Sequence, residues 1–87
     1  MPALSAETLK KMEEAAAGDA DFRFSVIVSL EGDATVEDLE RAGLTVANRF
    51  PSIHAAAGSA TLATLRGIAA MRGVALIELD EPGVHAI

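Results

Sequence analysis

An α+β domain with a four-stranded antiparallel sheet and two helices on one of its faces is predicted by three observations. Period-two alternation runs through residues 22–30, with Phe22, Phe24, Val26, Val28 and Leu30 apolar. Two capped, amphipathic segments start after Thr35 and Thr61. Short strand-like runs alternate with them to give the order β-α-β-β-α-β, the split βαβ or ferredoxin-like pattern. Right-handed crossovers then place both helices on one face and leave the other bare.

Each element has its own local reason. Residues 4–17 read as an extra N-terminal helix, with Ser5 as N-cap, Glu7 in the first turn, a thin Leu9–Met12–Ala16 stripe and Gly18 as terminator. The strand 22–30 ends at Glu31-Gly32-Asp33. The next helix has Thr35 and Asp38 as a capping-box variant, Val36, Leu39 and Ala42 on one face, and Gly43 as its stop. Residues 44–50 alternate as a second strand, and Pro51-Ser52 makes a turn. Residues 53–58 are expected as a third strand on context alone, because alanine is a poor strand former. A helix over 62–71 with Leu62, Leu65, Ile68 and Ala69 on one face stops at Gly73, and 74–79 is the last strand. The expected organisation is therefore an N-terminal helix and connector at 1–21, a ferredoxin-like unit at 22–80 and an extended tail at 81–87.

Composition excludes more than it assigns. The chain has 87 residues, no Cys, Trp or Tyr, and 13 acidic against 7 basic side chains, for a net charge of −6. The lack of Cys removes thiol chemistry and Cys-based metal sites. An acidic surface without stacking aromatics is poorly suited to nucleic acid or an anionic membrane. No apolar run approaches the ~20 residues of a membrane span. Met1–Lys11 lacks the pattern of a signal peptide, so a cytoplasmic location is the expectation.

The chemistry-bearing residues are few. His54 and His85 are the only imidazoles, His54 within the third expected strand and His85 in the tail. Neither has the partners of a catalytic or metal-binding constellation, so no enzyme, metal or cofactor is expected. A small enzyme built on His54 is the weakest reading. Binding is the stronger class. The bare sheet face is expected to carry Arg23, Ser25, Ile27 and Ser29, then Thr45, Ala47 and Arg49, then His54, Ala56 and Gly58. Such small residues suit close, flat docking of a partner. A solvated face, or one covered by the N-terminal helix, is the plainer alternative. The tail alternates into Val84 and Ile87 after Pro82-Gly83, a pattern that suits strand addition to another protein, while fraying is the default for such a segment.

The run Leu65-x-x-Ile68-x-x-Met71-x-Gly73-Val74-x-x-Ile77-Glu78-x-Asp80, with the opening strand Phe24–Leu30, resembles subtilase propeptides and the free-standing inhibitors similar to them. The resemblance spans about residues 22–87. Arg72 stands where that family has proline before the glycine, and Ile53–Ala56 replaces its Asn-Gly-Phe. The resemblance implies a protein-binding module that inhibits or chaperones a subtilisin-like serine protease. It implies that the bare face, here Ser25, Ile27, Ala47 and Ala56, packs on two surface helices of the protease. Glu78 and Asp80 would cap the N-termini of those helices. Val84, His85, Ala86 and Ile87 would enter the active-site cleft, with Ile87 in the primary specificity pocket. The alternative is a ferredoxin-like domain that self-associates through the same face as an oligomerisation or small-ligand-binding module, with a homodimer as the partner.

Overall fold

A computed structural model describes residues 3–80. Helix α1 (Ala6–Ala16) precedes strand β1 (Arg23–Leu30), helix α2 (Val36–Arg41), strand β2 (Thr45–Phe50), a 3-10 turn at Pro51–Ile53, strand β3 (Ala55–Thr61), helix α3 (Leu62–Ala69) and strand β4 (Val74–Leu79). The strands form one antiparallel sheet in the order β2-β3-β1-β4. This is the ferredoxin-like arrangement expected from the order of elements, preceded by one helix.

The three helix starts follow their side chains. Ser5, Thr35 and Thr61 are N-caps whose hydroxyls accept from the backbone N–H three residues on. At α2 the box closes both ways: the Asp38 N–H donates to Thr35 Oγ1 at 3.3 Å, and the Thr35 N–H donates to Asp38 Oδ2 at 3.0 Å. The Thr35 N–H first, then the Thr35 side chain and the Arg41 charge, hold the Asp38 carboxyl below its ordinary value of 3.8. A lowered folded-state pKa contributes stability above the unfolded value and loses it as pH falls through the folded one. Asp38→Asn should therefore lower denaturant stability at neutral pH, and the two proteins should converge once acid protonates the carboxyl. A constant difference down to the acid limit would deny the box its role.

The core lies between the sheet and the helices. Phe24, Val26, Val28 and Leu30 of β1 point into it with Ile77, meeting Leu39 of α2 and Leu65 and Ile68 of α3. Helix α1 belongs to the same core. Leu4, Met12 and Ala16 are buried in it and Met12 has no exposed surface, so α1 packs on the helical side and does not cover the opposite face. Ahead of α1, the Ile77 N–H on the outer edge of β4 donates to Ala3 O at 2.8 Å. Helix α3 stops at Ala69, two residues before the expected end. Its last turn tightens into i→i+3 bonds, Ala70 to Gly67 and Met71 to Ile68, before Gly73 turns with φ +91°.

The third strand departs most from expectation. It runs 55–61 and not 53–58. Residues Pro51–Ile53 form the 3-10 turn, and His54 caps it in the left-handed region with φ +52°. His54 is thus outside the strand. The two-residue change of ends does not itself alter the phase. Strand β3 pairs with β1 so that Ala55, Ala57 and Ser59 share the face of Ser29, Ile27 and Ser25. A bulge in β2, where Val46 pairs Gly58 and Asn48 pairs Ala57, inverts the alternation of β2 after Ala47. Ala56, expected on the bare face, pairs with Val28 and is fully buried on the helical side. Gly58 pairs with Val26 on that side too. Arg49 also crosses over: it pairs with Ala56 and bridges to Glu37 at 3.3 Å and Glu40 at 3.1 Å of α2.

Candidate docking face

The open face can be read row by row from the strand register. One row is Phe50, Ala55, Ser29 and Leu76 across β2, β3, β1 and β4. The next is Asn48, Ala57, Ile27 and Glu78, and the third is Thr45, Ser59 and Ser25. The Asp80 N–H continues β4 into that third row by donating to Ser25 O at 2.8 Å. Ser25 and Ile27 stand where the sequence placed them. Ala47 is the extra residue of the β2 bulge and is exposed at the sheet edge. Glu78 lies on the open face and is exposed.

The face is graded. Phe50 is 37% and Leu76 40% exposed at its apolar end, and Ile53 at the adjoining turn is 67% exposed. Between Phe50 and Leu76 the floor is low, because Ala55 and Ala57 are buried and Ile27 is half-buried. The opposite end is polar. Arg23 lies across it, its Nη2 donating to Thr45 Oγ1 at 2.8 Å, Ser59 O at 2.9 Å and Ser59 Oγ at 3.3 Å. The guanidinium is thereby drawn from β1 towards β2 and β3, while Glu78 and Asp80 stand on the β4 side. Phe50, Asn48, Ala55, Ala57 and Leu76 were not assigned to this face from sequence. For Leu76 the signal was present, since it is two positions before Glu78 in the same strand.

No family model matches the chain, and no curated protein or solved structure matches it.

The remaining residues singled out by the sequence lie either off this face or outside the described residues. His54 Nε2 lies 2.8 Å from Ala34 O and ties the β2–β3 turn to the start of α2. It borders a groove of about 280 Å³ that Glu37 and Arg49 also line, and those two are paired with one another. Among the described residues no His, Asp and Glu side chains gather in a metal-binding group. No described helix is long and apolar enough to cross a membrane. Val84, His85, Ala86 and Ile87 lie outside the described residues.

Proposed function

We propose that this chain is a protein-binding module that docks on a subtilisin-like serine protease and inhibits it or assists its folding. The observation that carries the reading is the open sheet face: a floor of small side chains, with Glu78 on it and Asp80 at the point where the chain continues into residues 81–87. A low floor of Ala55, Ala57, Ser25 and Ser59 lets partner helices approach closely. Carboxylates at Glu78 and Asp80 suit the positive N-terminal ends of such helices. The resemblance of residues 22–87 to subtilase propeptides supplies the partner class. In this reading Val84–Ile87 lies extended in the substrate cleft, its backbone pairing with the cleft walls and alternate side chains entering pockets. The domain contributes no catalytic residue; it acts by occupancy.

The test is inhibition of peptide hydrolysis by a panel of subtilisin-like proteases. Full-length protein is expected to inhibit at least one of them. A version lacking Val84–Ile87 should lose inhibition while keeping its circular dichroism spectrum. Proteases that all stay fully active at micromolar protein would overturn the reading.

A further inference from the structure

We infer that the open face is self-complementary and that, without another partner, it is covered by a second copy of this chain. Place two sheets face to face about a two-fold axis parallel to the strands and midway between β3 and β1. The operation puts β2 over β4 of the other copy and β3 over β1, with each row kept. The register then decides what meets what. Phe50 lies over Leu76, so the two most exposed apolar side chains of the face cover each other. The low Ala57 lies over the taller Ile27, and Ala55 over Ser29. At the polar end the Arg23 guanidinium, held over Thr45 and Ser59, comes over Asp80 and Ser25, with Glu78 one row away. Symmetry repeats each contact, so the dimer has two such charge pairings. No row brings like charges together.

A second symmetry choice fails. An axis in the same plane but perpendicular to the strands keeps each strand over itself and reverses the rows. It sets the apolar row of Phe50 and Leu76 against the polar row of Thr45, Ser59 and Asp80. The graded face thus selects one arrangement.

Size sets the strength. Four strands about 4.8 Å apart and about 20 Å long present a plan area on the order of 400 Å². With side-chain relief, two such faces bury on the order of 1,000 Å², the lower limit for a specific interface. The dimer should therefore be reversible and dissociate on dilution. It hides the face that the protease reading uses, so dimer and protease complex exclude each other. The dimer itself does not depend on that reading, and its assay contains no protease.

Sedimentation equilibrium over a concentration series is the test, with thermal melts to confirm that each variant is folded. Wild type is expected to pass from monomer to dimer. Arg23→Glu or Asp80→Arg alone should weaken the dimer at least about tenfold, because each sets like charges against each other. The double variant R23E/D80R should recover most of that loss, since the pairing is restored with its signs exchanged. Leu76→Asp, which leaves both charges in place, should also give monomer. Wild type that stays monomeric at the highest concentration overturns the inference. So does a dimer that none of the substitutions weakens, or a double variant as weak as the sum of its parts.

Discussion

Gly58→Ala is expected to lower the melting temperature by roughly 5–25 °C. Gly58 sits in β3 opposite Val46, at the start of the β2 bulge. A Cβ there would run into the Thr45 carbonyl oxygen and stand 3.1 Å from both the Thr45 carbonyl carbon and Val46 Cα. All three are backbone atoms, so no rotamer change relieves the clash. Strand β2 must lift from β3 and give up ladder bonds as it does. Overpacking of this kind costs about 1–3 kcal/mol and more where backbone must move. A domain of this size has roughly 4–13 kcal/mol in all, and each kcal/mol is worth about 4–8 °C. Gly67→Ala is the control. It lies in α3, where an added Cβ meets nothing within 4 Å. It should stabilise by about 0.5–1 kcal/mol, since alanine is the better helix former. A melting temperature for Gly58→Ala equal to that of wild type would show that β2 does not cross so near.

Met12→Ala is expected to cost about 2–5 kcal/mol, the range for emptying a fully buried site. Met12 has no exposed surface and belongs to the cluster of Phe24, Val26, Leu65 and Ile68. Truncation therefore opens a cavity under α1 in the middle of the core. Met12→Leu, which nearly conserves volume, should cost less than about 1.5 kcal/mol. The pair of measurements separates packing from helix propensity, because alanine favours the helix more than either residue. If α1 were merely attached to a complete domain, both variants would melt as wild type does.

The sequence shows some parts of this fold plainly. In β1 every second residue is large and apolar, so strand, phase and core face can all be read before any partner is known. Caps at Ser5, Thr35 and Thr61 can be read for the same kind of reason, as a hydroxyl three residues before a helical N–H has one local use. Strand β3 carries no such signal. Ala55, Ala56, Ala57, Gly58 and Ala60 are alike in size on both faces, so nothing local distinguishes one phase from the other. Its phase comes from pairing with β1, which is a tertiary fact. Arg49 lies on the unexpected side for a related reason: the bulge at Ala47 inserts one residue, and strict alternation counted across it inverts everything that follows. The open face was therefore legible along β1 and at Thr45, ahead of the bulge, and illegible past the bulge in β2 and along β3.

The single bond from Ile77 N–H to Ala3 O has a bearing on how far assembly of this protein can go. Apart from Glu78, Val74–Leu79 is an apolar run on an outer strand, the sort of template on which sheets elongate. Here the first acceptor that the template meets is tethered to it through α1, at a local abundance that no free molecule in solution matches. It works as a built-in chain terminator. The far margin of the sheet is interrupted differently, by the irregular spacing at Ala47, which an incoming regular strand cannot match. Growth by hydrogen-bonded accretion is thus discouraged at both margins. What remains open to the inferred dimer is stacking of one broad surface on another, which would be complete after two molecules.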